Sequence, residues 1–226
     1  MAEISVDCFV RYNPNRDVKW SQDEWAAVHI KRVVKGEQLH GKFSFPLNGV
    51  STEFDRNKLP MFGNALGKVF AQKIEAEHGG GVLIVPVPNG NACVEYNEDF
   101  QTYRIARKIE QHSNGAIALD MLRWREKMGK AHLGGRRRDV WQHKQDLVIA
   151  KKTTRPIVLF DDVVTTGAQL AAARDVLTAD GYEVVGHYAI LDVIDKDARG
   201  DALGWRTVTR HPQDTADLFN AIEPWV

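Results

Sequence analysis

Residues 156–170 read PIVLFDDVVTTGAQL. The stretch opens as an apolar, β-branched run, sets two acids side by side at Asp161 and Asp162, and then brings Thr165, Thr166 and Gly167. Adjacent carboxylates repel each other, and each is costly to desolvate. The run PIVLF is short enough for a buried strand, and GAQLAAARDVLTADG behind it reads as a helix ending at Gly181. In open parallel sheets, ligands bind outside the carboxyl ends of the strands. Asp161 and Asp162 then sit where carboxylates can receive the hydroxyl donors of a sugar diol. Thr165 and Thr166 carry hydroxyl donors, and Gly167 permits close backbone approach or a positive φ. The free N–H groups and positive dipole end of a helix start make an anion site. In this order the residues read as acids for a ribose, followed by a cradle for its 5′-phosphate. On spacing alone, a plain strand end followed by a helix cap explains them equally well.

The flanking sequence gives the stretch its frame. NALGKVFAQKIEAEHGGG (64–81) puts Leu66, Val69, Phe70 and Ile74 on one helical face and stops at its glycines. VLIVPVP follows as a buried strand, then the loop NGNACVEYN and a helix around EDFQTYRIARKIEQH. Asn114-Gly115 marks a turn, AIALDML alternates as a strand does, and YEVVGHYAIL forms a further strand beyond residue 181. Repeated strand–helix alternation predicts a parallel sheet with helices on both faces and right-handed crossovers. The first sixty residues differ in style. EISVDCFVRY alternates as a half-buried strand. SQDEWAAVHIKRVVKG reads as a helix, with capping-box spacing at Ser21 and Glu24, a stripe of Trp25, Val28 and Arg32, and a stop at Gly36. GKFSFPL is a candidate strand, and NGVSTEFDRNKLP is a turn-rich link. The expectation is an α/β core over 61–226 with a central parallel sheet, and an N-terminal α+β appendage, or hood, over 1–60.

The chain's 226 residues suit one large domain, or one with a smaller appendage. Thirty basic residues balance thirty acidic ones, so net charge gives no argument for a nucleic-acid or membrane partner. Cys8 and Cys93 are far apart and form no CxxC pair, which argues against a zinc ribbon or a disulfide framework. The eight histidines show no metal-ligand spacing. No apolar stretch approaches the roughly 18 residues of a spanning helix. The N-terminus lacks the pattern of a signal peptide, so a cytoplasmic protein is expected.

VLFDDVVTTGAQL resembles the phosphoribosyl-pyrophosphate (PRPP) motif of the type I phosphoribosyltransferases. The resemblance implies the fold of that family. Asp161 and Asp162 would take the ribose 2′- and 3′-hydroxyls, and Val164, Thr165, Thr166, Gly167 and Ala168 would form the phosphate loop. It covers roughly 65–192 and is strong over 157–170. With YRIARKI and HLGGRRRDV, the chain is most similar to the ComF-type branch. It departs from that branch in lacking a zinc ribbon, in having Asp139 where an Asn is usual, and in carrying YNEDFQTYR in place of an RGFNQ-like element.

The resemblance also implies a pyrophosphate loop within Pro86–Asn91, at Val87, Pro88, Asn89 and Gly90; an ordinary Pro-Asn-Gly turn explains these residues equally well. A catalytic loop that closes over substrate falls on 123–138, which holds seven Arg or Lys and one acid. Lys130, Arg136, Arg137 and Arg138 are its catalytic candidates together with Asp161 and Asp162, and Arg123, Arg125 and Lys127 share the run. The alternative for this run is a solvated or nucleic-acid-binding basic patch. Mg²⁺ is the implied cofactor, at Asp161 and Asp162 mainly through ligand or water. The acceptor pocket would draw on Tyr188 and Asp192, with Asp195 and Trp205 nearby in sequence; core and surface roles are the plainer reading of such residues. The implied activity is phosphoribosyl transfer from PRPP to a nitrogen acceptor of the nucleobase class, in a monomer or a homodimer. The alternative is a non-catalytic PRPP sensor or a ComF-like accessory of nucleic-acid processing.

Overall fold

The computed structural model describes residues 3–15, 17, 19–47, 49–95, 99–127 and 139–215. In chain order the elements are β1 (Ile4–Tyr12), α1 (Gln22–Val34), β2 (Phe43–Leu47), β3 (Val50–Phe54), α2 (Leu59–His78), β4 (Leu83–Pro86) and α3 (Gln101–His112). They continue with β5 (Ile117–Ala118), β6 (Leu122–Trp124), α4 (Val140–Asp146), β7 (Leu147–Ile149), β8 (Ile157–Val164), α5 (Ala168–Ala179), β9 (Val184–Val193) and β10 (Leu203–Arg210). The central sheet has six strands in the order β10-β1-β9-β8-β4-β5. Every neighbouring pair is parallel except β1 with β10. This is the central parallel sheet, flanked by helices, that the alternating pattern predicts.

Burial explains why the inner strands read as continuous apolar runs. All four residues of β4 and the first six of β8 are buried, as strands covered on both faces must be. Side chains alternate between two cores. One gathers Val158 and Phe160 with α1, α2, α3 and the β2–β3 hairpin. The other gathers Ile157 and Leu159 with α4, α5 and β6. In the first, Phe43, Phe45 and Phe54 surround Phe62 with ring centroids 4.9–5.5 Å apart. The capping box of α1 is present: Ser21 Oγ accepts from Glu24 N–H at 3.2 Å, and Glu24 Oε2 accepts from Ser21 N–H at 2.8 Å.

Four details differ from the sequence expectation. The strand Ile4–Tyr12, read as part of the hood, is an inner strand of the central sheet, between β9 and β10. Alternation identifies a strand but not its partner. The turn-rich link contains β3, which buries Phe54 against Phe43 of the paired strand. AIALDML divides into β5, which joins the central sheet, and β6, which leaves it to pair with β7. Trp25 is 48% exposed, because α1 buries Ala26, Ala27, Ile30 and Val34 instead. Among the described residues, no helix is long and apolar enough to cross a membrane.

Candidate active site

Strand β8 runs through the acid pair to Val164, so Asp161 and Asp162 belong to the strand itself. Alternation starts the two side chains toward opposite faces of the sheet. Asp161 folds back, and its Oδ1 accepts from the N–H of Asp162 at 2.7 Å. Asp162 meets a residue that sequence reasoning missed. Lys35, the C-cap of α1, places Nζ 2.8 Å from both carboxylate oxygens. Both acids are buried, at 7% and 8% exposure. Burial, reinforced by the charge of Asp162, pushes the Asp161 carboxyl up to about 8, with Lys35 opposing. Burial would lower the Lys35 ammonium, but the Asp162 carboxylate outweighs it and holds the group above its usual range. The Asp161 carboxyl therefore keeps its proton well above the usual carboxylate range.

Beyond the acids the strand passes into the start of α5. Val164 is core, so only its backbone faces the turn. Thr165 and Thr166 are half-buried, and Gly167 is the N-cap with φ +79°. A Cβ on Gly167 would lie 3.0 Å from Ile4 Cγ2 and 3.1 Å from Arg210 Cβ. The position therefore needs glycine for both its left-handed backbone and its lack of space. Thr166 Oγ1 accepts from Ala168 N–H at 3.4 Å, and Arg210 Nε donates to the Thr165 carbonyl at 2.9 Å. The N–H groups of the first helical turn have no intrahelical partner, as at any helix start, and they open beside Thr165 and Thr166.

The Pro86–Asn91 loop is brought directly beside the acids. Val87 N–H donates to the Phe160 carbonyl at 2.8 Å, one residue before Asp161. Trp124 Nε1 donates to the Pro88 carbonyl at 3.0 Å and fixes the loop from below. Val87 and Pro88 are buried, whereas Asn89 is exposed and Gly90 half-buried. Asn89 Oδ1 accepts from Asn91 N–H at 3.0 Å, an Asx turn that holds the tip.

Other candidates fall elsewhere. Tyr188 is buried in the core, where its hydroxyl donates to Glu77 and lies 2.9 Å from His78 Nε2. Asp192 is buried against Arg210, which donates to it. Both side chains are already engaged by protein groups. Arg123 corrects the reading of 123–138 as one basic loop, since it is a buried residue of β6, ion-paired with Asp120 and 5.4 Å over the Phe100 ring. Arg125 and Lys127 are exposed. Lys130, Arg136, Arg137 and Arg138 lie outside the described residues. Asp139 caps α4 through Gln142 N–H at 3.2 Å and also accepts from Thr215 N–H at 3.0 Å, a structural role for the residue that departs from the ComF pattern.

Among the described residues, no group of three or more His, Cys, Asp or Glu is placed to hold a metal ion. The acid pair offers hard carboxylate oxygens, which suit Mg²⁺ only where a ligand and water supply the rest of its shell.

No family model matches the chain, and no curated protein matches it. Among solved structures the chain is similar to Saccharomyces cerevisiae adenine phosphoribosyltransferase complexed with an imino-altritol bisphosphate and adenine. That match has 13% identity and a TM-score of 0.39, and covers 74% of this chain and 89% of that one. It is also similar to Mycobacterium tuberculosis orotate phosphoribosyltransferase, at 16% identity over 72% of this chain and 82% of that one, with a TM-score of 0.35. A Staphylococcus aureus hypoxanthine phosphoribosyltransferase matches at 12% identity over 62% of this chain and 68% of that one, with a TM-score of 0.33.

Proposed function

We propose that the protein is a Mg²⁺-dependent phosphoribosyltransferase, which binds PRPP at the end of β8 and transfers its phosphoribosyl group to a nitrogen acceptor of the nucleobase class. One observation carries this reading: a buried acid pair runs directly into a glycine-led helix start, with the Pro86–Asn91 loop alongside. In this reading Asp161 and Asp162 accept the ribose 2′- and 3′-hydroxyls. Thr165, Thr166 and the N–H groups up to Ala168 hold the 5′-phosphate, and the tip at Asn89 and Gly90 faces the pyrophosphate. The acceptor nitrogen forms a bond to C1 as the bond from C1 to pyrophosphate breaks, and the acceptor's proton leaves to solvent or pyrophosphate. Mg²⁺, held by Asp161 and Asp162 mainly through ligand or water, would neutralise charge on the departing pyrophosphate. Lys35 must release Asp162 as the ribose hydroxyls arrive, which frees an ammonium at the edge of an anionic ligand.

The test is pyrophosphate release from PRPP with Mg²⁺ across a panel of nucleobases, with ribose 5-phosphate binding followed by calorimetry. Release with one acceptor is expected. Combined Asp161→Asn and Asp162→Asn should weaken ribose 5-phosphate binding about tenfold or more, the size expected for lost hydrogen bonds to charged groups. Unchanged affinity in that variant would remove the ribose assignment. Tight PRPP binding with no release for any acceptor would favour the sensor. Nucleic-acid binding that survives the substitutions and weakens with salt would favour the accessory role.

A further inference from the structure

Arg210, the last residue of β10, touches the phosphate loop at two points. Its Nε donates to the Thr165 carbonyl at 2.9 Å. Its methylene stem closes the space beside Gly167, where a Cβ would approach Arg210 Cβ to 3.1 Å and Cγ to 3.5 Å. The far side of the guanidinium is itself held. One terminal nitrogen donates to the Asp192 carboxylate and lies 3.4 Å from the Val193 carbonyl, and the other lies 3.4 Å from the Thr209 carbonyl. Asp192 is 2% exposed, so its charge is aimed at the guanidinium and not at solvent. Among the described residues its hydrogen bonds go to Thr165, Asp192, Val193 and Thr209.

We propose that Arg210, braced by Asp192, is a positioning residue that sets the direction of the peptide between Thr165 and Thr166 and so aims the Thr166 N–H at the 5′-phosphate of a bound ligand. The argument is planar geometry. In a trans peptide the carbonyl of one residue and the N–H of the next point in opposite directions. A Thr165 carbonyl tethered to Arg210 turns the Thr166 N–H away from the guanidinium. Without the tether that peptide can rotate and present a carbonyl oxygen to the phosphate, which repels it. Arginine suits the task because its rigid fork reaches a carbonyl and a carboxylate at once. The inference rests on the phosphate reading of the loop.

The test measures ribose 5-phosphate binding to the full chain by calorimetry, thermal unfolding of each variant, and the response of the Thr166 backbone amide resonance to added inorganic phosphate. Arg210→Ala is expected to weaken ribose 5-phosphate binding about tenfold or more and to abolish the Thr166 amide response, while a cooperative unfolding transition remains. Asp192→Ala should weaken binding in the wild-type background and do nothing further in the Arg210→Ala background, because it acts only through Arg210. Arg210→Lys retains a charge for Asp192 but not the fork, and should also lose the Thr166 response. It is the deciding variant if Arg210→Ala fails to fold. A folded Arg210→Lys or Arg210→Ala protein with wild-type affinity and an unchanged Thr166 response overturns this inference alone. A wild-type protein that binds no ribose 5-phosphate overturns the functional reading and this inference with it.

Discussion

Asp161 shows how a single buried acid gives the site its pH dependence. Its carboxyl is raised from an ordinary value of 3.8 to about 8 by burial and by the charge of Asp162. A carboxyl raised in the folded state is protonated there while the unfolded chain is already ionised. Its contribution to stability is complete below the unfolded value and is lost as pH rises through the folded one. Unfolding by urea at pH 5, 7 and 9 should therefore show this contribution falling across that window. Asp161→Asn, which cannot ionise, should flatten the slope and be more stable than wild type at pH 9. An equally steep slope in the variant would show that Asp161 does not hold the proton. The acid pair was legible because its two members are adjacent in sequence and follow the most apolar strand. Lys35 was not, because it pairs with Asp162 across 127 residues and nothing in SQDEWAAVHIKRVVKG separates it from Lys31 or Arg32.

At the scale of elements, the junction of β8 with α5 is tightly constrained. Gly167 holds a left-handed backbone at φ +79°, packed between Ile4 and Arg210. Gly167→Ala is expected to destabilise the protein by about 1–2 kcal/mol from the backbone alone, since a Cβ is unfavourable in that region. The contact with Ile4 Cγ2 at 3.0 Å adds to this unless the neighbours shift. Denaturant unfolding measures the loss, and a variant as stable as wild type would mean that the turn rearranges without strain. Here the sequence was informative, because strand, acids, hydroxyls and glycine follow one another without a gap. Arg210 and Asp192 were harder to read. Asp192 stood between an acceptor-pocket role and a core or surface role, because a lone acid after a strand has no sequence mark of its partner. The fork that claims it comes from an antiparallel edge strand 18 residues on.

For the molecule as a whole, the question is whether the first sixty residues are an accessory or part of the core. Sequence style set them apart, since they lack the strand–helix alternation that follows. Packing joins them to the rest. β1 lies between β9 and β10, so without it β10 has no strand to pair with and β9 becomes an edge. Ile4, Val6, Phe9 and Val10 are all buried, split between the two cores. Burying one such side chain contributes about 1.5–3 kcal/mol, so these four together rival the about 5–15 kcal/mol that holds a typical domain folded. The hairpin adds Phe43, Phe45 and Phe54, packed on Phe62 of α2, and α1 supplies the lysine that neutralises Asp162. A fragment containing only residues 61–226 is therefore expected not to fold: its amide proton spectrum should lack dispersion and its thermal scan should show no cooperative transition. Adding a separately made 1–60 fragment should restore both if association is tight enough, because the missing strand and its apolar side chains are then supplied in trans. A 61–226 fragment that folded cooperatively alone would show that β1 is an addition to a self-sufficient core.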